Sequence, residues 1–246
     1  MDPPAAPRGF CDSRRQKRRG QAFGMNAGGT SGAFRSEQRY RWMFTFSVSG
    51  DLRFISHHDT LRLFQRAFAR AAVPVRYTEG FNPRPRISIP LPRPVGVASD
   101  EDALVVETTG PVDAGSTIEA LNRQAPPDLR LLGIRPLAPG ERPSPASVRY
   151  RLAPDEPPVA DLESRVRLLM ATDVVPFERI HPKKATRRIV NLRPYIRELV
   201  VDGGAVLMTL AVTGNGTAKP SEIAALLGYD SGAVNHRVRR LEIQWQ

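Results

Sequence analysis

Two histidines and an arginine stand where an extended segment is followed by a helix start. Arg53 precedes Ser56-His57-His58-Asp59, which has the Ser-x-x-Asp form of a helix N-terminus. Free amides and the positive end of the helix dipole favour an anion there, and arginine and histidine can donate to a phosphate. The alternative is that Ser56 and Asp59 only cap the helix. The sequence leaves both open, and an RNA contact would involve Arg53 and His57.

The same two histidines permit a second chemistry. An imidazole titrates near neutral pH, so His57 or His58 has the properties of a general acid or base. The sequence offers no nucleophile and no fixed partner at a motif spacing from either residue. We therefore expect no catalytic residue, and we keep RNA cleavage by these histidines as the alternative.

The segment from Gly80 to Arg86 combines a glycine, two prolines, an aromatic ring and two arginines without an acid. Surfaces that bind single-stranded RNA use this mixture, because bases stack on aromatic or guanidinium faces while arginines reach the backbone. Prolines lack the amide donor of a sheet ladder, so a loop that blocks edge association is the alternative interpretation. We predict RNA contacts from Phe81, Asn82, Arg84 and Arg86.

A second basic patch lies between residues 179 and 197. It contains Lys183, Lys184, Arg187 and Arg188, with further arginines nearby. A phosphate backbone would meet such a patch well, and each neutralised phosphate adds to the salt sensitivity of binding. A solvated charged loop explains the same residues equally well. We include these four residues in the predicted RNA-binding set.

The composition limits the classes of function. The chain has 246 residues and a net charge of +11, with 36 basic and 25 acidic residues. Residues 1–38 hold seven of the basic and three of the acidic residues, which leaves a charge of +7 on residues 39–246. A polyanionic partner is therefore indicated by the body of the chain as well as by its basic leader.

The sequence argues against several kinds of feature: disulfides, metal sites and membrane spans. The single cysteine, Cys11, excludes an internal disulfide and a thiolate metal cage within one chain. The acidic run 100–102 offers too few oxygen ligands for a hard cation, and we interpret it as a solvated turn. No segment approaches the roughly 18 apolar residues of a membrane span, and no signal peptide is evident. We expect a cytoplasmic protein with no cofactor, no metal and no membrane contact.

Hydrophobic periodicity indicates the elements that position these residues. Alternation predicts a strand at 40–48, and an apolar stripe predicts a helix over 61–72, whose other face carries a basic row at i, i+4 and i+8: Arg62, Arg66 and Arg70. We include Arg62 in the predicted RNA-binding set. Residues 52–55 are expected to be extended, and later elements follow as a strand at 102–108, a helix at 116–124 and a strand at 129–135.

A looser version of the same order follows. We predict strands or extended segments at 148–152, 174–180 and 189–192, a hairpin within 199–210, helices at 159–171 and 219–227, and a strand at 238–245. The predicted fold class is α+β, with two ferredoxin-like (split β-α-β) halves at 39–138 and 147–246. A Pro-rich linker at 139–146 joins them, and a disordered basic leader occupies 1–38.

The first half carries a family resemblance. The segments 50–59 (GDLRFISHHD), 77–88 (YTEGFNPRPRIS) and 94–97 (PVGV), with the helix 61–72 between the first two, resemble the bacterial radical SAM-linked protein family, a domain of unknown function. The resemblance is strong over 39–138 and weak elsewhere. It implies a partnership with a radical SAM enzyme, either adjacent or fused. Radical SAM chemistry needs a Cys-x-x-x-Cys-x-x-Cys cluster site, so the resemblance implies that this chain is the accessory part.

Our leading hypothesis is a non-catalytic RNA-binding accessory protein that works with a separate radical SAM enzyme in tRNA or rRNA modification or processing. One alternative is a metal-independent RNA-processing endonuclease on the same scaffold that uses His57 or His58. A second alternative is a docking domain that binds only the radical SAM partner. The sequence does not identify the RNA or the modification.

Overall fold

A nine-stranded sheet runs through the computed structural model, which describes residues 39–153, 159–180, 186–229 and 234–246. These residues form an α+β unit with four α-helices within the described ranges. The predicted leader at 1–38 lies outside the described residues. None of the described helices is both long and apolar enough to cross a membrane.

The first part of the sheet alternates strands with two helices. Its elements are β1 (Tyr40–Val48), α1 (His57–Arg70), β2 (Ile87–Ser88), β3 (Ala98–Thr108), α2 (Ala114–Gln124) and β4 (Leu129–Pro136). The strand order is β4-β1-β3-β2, and every neighbouring pair is antiparallel. The strands and helices predicted from residue periodicity in this region are confirmed, and β3 begins four residues earlier than expected.

The second part repeats this arrangement with an insertion. Its elements are β5 (Pro145–Leu152), α3 (Leu162–Ala171), β6 (Pro176–Ile180), β7 (Arg187–Asn191), β8 (Ile196–Asp202), β9 (Ala205–Thr213), β10 (Gly216–Thr217), α4 (Pro220–Leu227) and β11 (Val238–Trp245). The antiparallel order is β8-β9-β5-β11. The inserted β6 and β7 pair only with each other, and we call them the β6–β7 hairpin.

The two parts share one sheet because β11 pairs with β3 in parallel over two residue pairs, Arg239 with Ala98 and Arg240 with Ser99. The predicted linker at 139–146 therefore connects strands of a continuous sheet. Its last two residues already belong to β5, and Glu141 in its middle pairs with Arg135 at 2.8 Å.

Each part has its own apolar core. In the first, the rings of Phe64 and Phe68 on α1 pack against those of Phe46 and Phe44 on β1, with centroids 4.7 and 5.5 Å apart. The predicted apolar stripe of the helix therefore faces the sheet, as helical spacing requires. In the second, α3 packs against β8 and α4 against β5, with Val166 and Ile223 among the buried residues.

Two sequence expectations are wrong. Residues 50–54 form a 3-10 helix and not an extended segment, because Gly50 has φ +47° and Asp128 accepts a hydrogen bond from the Asp51 amide at 3.1 Å. The acidic run 100–102 is not a solvated turn but the start of β3, where Asp102 is 3% exposed. The ladder with β1 imposes the strand here, and it points Asp102 inward.

Candidate nucleic-acid interface

The segment around Phe81 is a narrow arm, formed by residues 76–86. Its two sides are joined by hydrogen bonds from the Arg86 amide to the Arg76 carbonyl and from the Thr78 amide to the Arg84 carbonyl, both 2.8 Å. The arm is attached to β3, since the Arg76 amide donates to the Glu107 carbonyl at 2.8 Å and the Glu107 amide to the Arg86 carbonyl at 3.0 Å. The prolines are thus accommodated in an arm on β3, as their missing amide donors favour.

The tip of the arm presents side chains to solvent. Phe81 is 105% exposed, and Asn82 and Arg84 are exposed beside it. Gly80 has φ +118°, a conformation that other residues rarely adopt, so its glycine lets the chain turn back here. Arg86 lies closer to the sheet, with its Nε 3.7 Å from a Glu107 carboxylate oxygen. The arm therefore offers the exposed ring of Phe81 and the guanidinium of Arg84, which has no acidic partner among the described residues, whereas Arg86 is partly neutralised.

A groove of about 550 Å³ lies along α1. Its floor is apolar, from Leu52, Ile55, Leu63, Ala67, Ala125 and Pro126, and its rim carries Asp59, Arg62, Arg66, Arg70 and Gln124. We call it the arginine groove. The rim cations come from one helix face, because residues four apart on a helix are neighbours.

The charges of the arginine groove differ in their partners. Asp59 holds Arg62 at 3.1 Å, whereas Arg66 and Arg70 are exposed and have no acidic partner among the residues that the structure describes. A hydrogen bond from Ser56, together with the nearby Arg62, lowers the pKa of Asp59, so its carboxylate stays charged at neutral pH. The free positive charge of the groove therefore belongs to Arg66 and Arg70.

The helix start is capped. The Ser56 hydroxyl accepts from the Asp59 amide at 3.2 Å and donates to the Asp59 carboxylate at 2.7 Å. Arg53 donates to the His236 carbonyl at 3.1 Å, and its guanidinium lies 4.9 Å from the Phe54 ring centroid. The capping interpretation is confirmed, and Arg53 has a structural bond to the second part of the sheet.

The two histidines of this helix start differ in environment. His58 is exposed, while His57 is partly buried beside Thr60, Arg93 and Asp102. The His57 Nδ1 atom is buried and has no hydrogen-bond partner among the described residues. Burial, with a smaller contribution from His58 at 5.4 Å between ring centroids, lowers the pKa of His57. The environment of His57 therefore favours its neutral form.

A buried charge cluster, formed by Arg93, Asp102 and Arg240, joins the two parts of the sheet. Asp102 receives Arg240 at 2.6 Å and Arg93 at 3.3 Å, with every side chain of the cluster 5% exposed or less. Arg240 also donates to the Leu91 carbonyl at 3.1 Å and lies 3.4 Å from the Tyr150 hydroxyl. Our sequence reasoning missed this cluster, although the alternation of β11 places Arg240 on the same side as Val238 and thus signals an inward arginine.

The second basic patch is divided among different roles. Arg187 is exposed and 3.5 Å from Glu178, and Arg188 is exposed; both lie on the β6–β7 hairpin. Arg179 makes two 2.7 Å bonds to the carboxylate of Glu222 on α4. Lys183 and Lys184 lie outside the described residues. The structure therefore does not bring the members of this patch into one described site.

The exposed aromatic rings concentrate in the first part. Among the described residues, Phe54, Tyr77 and Phe81 are the aromatic side chains at least half exposed, and none of them lies on a strand of the main sheet. Arg239, an exposed strand residue of the second part, pairs with Asp100. Base stacking is thus available from the arm and the 3-10 helix, and not from the sheet surface. No group of metal-ligating side chains occurs in the described ranges.

Comparison with known proteins gives a family. No curated protein matches the chain. A crystal structure of an unknown protein from Galdieria sulphuraria is similar over 85% of this chain and 99% of its own, at 10% sequence identity, but its TM-score of 0.24 does not indicate a shared fold. The family model DUF2344, described as an uncharacterized protein conserved in bacteria, matches residues 39–220 and so includes the arm, the arginine groove and the β6–β7 hairpin. The expected bacterial domain of unknown function is confirmed, and the chain belongs to the DUF2344 family.

Proposed function

We propose that the chain is a non-catalytic RNA-binding accessory protein that works in the cytoplasm with a separate radical SAM enzyme, in the modification or processing of tRNA or rRNA. The observation that carries the proposal is the wholly exposed ring of Phe81, presented by the arm next to the free guanidinium of Arg84. Solvent exposure of a phenylalanine costs hydrophobic stabilisation. A base that stacks on this ring would bury it and regain that stabilisation.

The scaffold of this proposal is a pair of ferredoxin-like halves. Both parts of the sheet have the order β-α-β-β-α-β in sequence if the β6–β7 hairpin and the short β10 are set aside. In both, the fourth strand and the third strand flank the first, and the second pairs with the third. This interleaving supports the proposed split β-α-β fold of each half.

The radical SAM partner is proposed from the motif residues of the first half. Two segments that carry the resemblance are described by the structure as follows. One consists of the 3-10 helix and the first residues of α1, and the other is the arm, which follows α1 in the chain. The cluster site of a radical SAM enzyme needs three cysteines, and this sequence has one cysteine. The partner would therefore hold the cluster, and this chain would bind the RNA.

The test is fluorescence anisotropy of a labelled single-stranded RNA with the full chain over a series of salt concentrations. Binding should weaken steeply with salt, because Lys and Arg side chains release counterions from the phosphates. Phe81→Ala should weaken binding about fivefold or more. Ile189→Ala removes an exposed apolar side chain of the β6–β7 hairpin, 74% exposed, and serves as the matched control that should leave affinity unchanged. A chain with no measurable RNA affinity at low salt would contradict the proposal.

The endonuclease alternative is favoured by one observation: the buried Nδ1 of His57 has no hydrogen-bond partner in the described part of the chain, and the His58 ring lies 5.4 Å away. Labelled total RNA incubated with the wild type and with the variant His57→Ala, His58→Ala separates the two functions on a denaturing gel. We expect intact RNA in both samples. Site-specific cleavage by the wild type that is lost in the variant would favour the enzyme, because loss of a general acid or base typically lowers the rate about 10² to 10⁴ fold.

A further inference from the structure

The arginine groove has the size of a small-ligand site. Its volume of about 550 Å³ falls within the range of roughly 300 to 1,000 Å³ that such sites occupy. The groove is open along α1, so it admits a unit that belongs to a longer strand. The position of the groove is also distinct from that of the arm. A small cavity beside the arm's Tyr77 and Pro85 is lined from α1 by Gln65, Phe68 and Ala69, and none of these three lines the groove.

The floor and the rim of the groove suit different parts of one ligand. Leu52, Ile55 and Leu63 supply apolar surface at the bottom, which a flat, weakly hydrated ring system can cover. Arg66 and Arg70 supply cations at the rim that have no acidic partner within the described ranges, and guanidinium groups match phosphate oxygens through two parallel hydrogen bonds. A nucleotide has both parts, a base and a phosphate, attached to one sugar.

The spacing of the cations matches a strand. Residues four apart on a helix are separated by about 6 Å along its axis, which is comparable with the separation of successive phosphates in an extended single strand. Arg66 and Arg70 can therefore contact two neighbouring phosphates, with the base between them directed to the floor. Arg62 continues the row, but Asp59 at 3.1 Å already neutralises it.

From these features we infer that the arginine groove holds one nucleotide unit of single-stranded RNA, with its base on the apolar floor and its two flanking phosphates on Arg66 and Arg70. This inference rests on the proposed RNA binding and adds a second contact site to the arm. It also orders the three arginines, since Arg66 and Arg70 contribute more to binding than Arg62.

The first experiment measures the affinity of full-length variants for a fluorescein-labelled octamer of uridylate. The variant Arg66→Ala, Arg70→Ala should bind about tenfold more weakly, and the slope of log affinity against log salt should fall by about 1.4, which is about 0.7 for each lost phosphate contact on a single strand. The control variant Arg149→Ala, Arg151→Ala removes the same charge from exposed positions of β5. Its affinity should change less than twofold.

The second experiment locates the base. An octamer with 4-thiouridine is crosslinked to the wild type by light, and the crosslinked peptides are identified by mass spectrometry. Crosslinks should occur in residues 52–63 and 124–126 as well as in the arm, and the variant Arg66→Ala, Arg70→Ala should lose the groove crosslinks while it keeps those of the arm.

The outcomes separate the inference from the proposed function. RNA binding with equal affinity for the two double variants, or crosslinks confined to the arm, would overturn the inference and leave RNA binding intact. A wild type that binds no RNA at low salt would overturn both. Displacement of the octamer by an acidic peptide of equal charge at the same concentration would also overturn the inference, because the floor would then take no base.

Discussion

Three basic residues of α1 and the arm differ from Arg179 and Arg193 of the second part in what they contact. Arg66, Arg70 and Arg84 are exposed, without an acidic partner in the described part of the chain. Arg179 is engaged in a bidentate pair with Glu222, and Arg193 donates to the carbonyls of Ile196 and Met170 at 2.8 and 3.3 Å. The density of basic residues along a sequence therefore does not measure the charge that a partner can reach.

The difference has a simple physical cause. A guanidinium that is buried beside a carboxylate has exchanged water for protein contacts, and removing either partner leaves an uncompensated charge. An exposed guanidinium keeps its hydration and contributes little to folding. Substitution of a buried, paired arginine should therefore change stability, and substitution of an exposed arginine should change RNA affinity.

The largest effect is expected at the buried charge cluster. Asp102→Asn keeps the shape of the side chain but leaves Arg93 and Arg240 facing each other without an anion. We expect a loss of about 3 to 5 kcal/mol in the free energy of unfolding, measured by urea denaturation. Asp100→Asn, two residues away on β3, breaks the half-exposed pair with Arg239 and should cost about 0 to 1 kcal/mol. Equal losses in the two variants would show that burial does not set the difference.

A smaller loss of stability is expected at Arg179. Arg179→Met removes the partner of Glu222, whose side chain is 7% exposed, and we expect a cost of about 2 to 3 kcal/mol in urea denaturation. The matched variant Arg187→Met breaks an exposed pair with Glu178 and should be close to neutral. RNA affinity should be unchanged in folded Arg179→Met, whereas Arg187, which belongs to the predicted RNA-binding set, serves as a control for stability alone. Weaker RNA binding by Arg179→Met alone would place a binding residue in the second part and weaken the comparison.

Sequence reasoning succeeded where local patterns determine the structure. The apolar stripe of α1 and the Ser56 cap depend on residues within a few positions, and both were predictable. The hairpin between β8 and β9 was also predictable, because its Asp-Gly-Gly turn places Gly203 and Gly204 at φ +55° and +77°.

Long-range contacts account for what the sequence did not reveal. Asp102 and Arg240 are 138 positions apart, and only the parallel pairing of β11 with β3 brings them together. Among the candidate site residues, Phe81 and Arg84 are placed on an exposed arm, while Arg53 is bonded to His236 and Arg86 lies near Glu107. Whether an arginine is exposed or bonded depends on such distant partners. Residue type and local spacing therefore could not distinguish exposed arginines from bonded ones.

The next effect concerns RNA affinity directly. Phe81→Ala combined with Arg84→Ala should weaken binding by about 1 to 3 kcal/mol, the contribution of one stacked base. Lys183→Ala combined with Lys184→Ala should weaken it less, because solvated charges are screened by salt. Anisotropy at about 0.15 M salt makes the comparison. A larger loss for the lysine variant would move the principal binding surface to the second part of the chain.

The smallest expected effect is a pH dependence of stability that comes from His57 at the start of α1. The pKa of His57 in the folded chain lies below its usual value of 6.5, so the unfolded chain binds a proton that the folded chain resists. Stability from this residue is therefore present above pH 6.5 and is lost as the pH falls below it. Burial is the larger cause and the neighbouring His58 the smaller one, and Arg93 and Asp102 line the same small cavity as His57.

His57→Gln removes the titrating group and should reduce the fall in Tm between pH 7 and pH 5.5 by about 2 °C or less, because His57 is only partly buried and solvent screens its interactions. His58→Gln removes the smaller of the two causes and should reduce the same fall by a lesser amount. Thermal denaturation at several pH values measures both variants. If His57→Gln steepened the loss of stability in acid, His57 would be favoured in its charged form, and an RNA phosphate contact by His57 would gain support over a buried structural role.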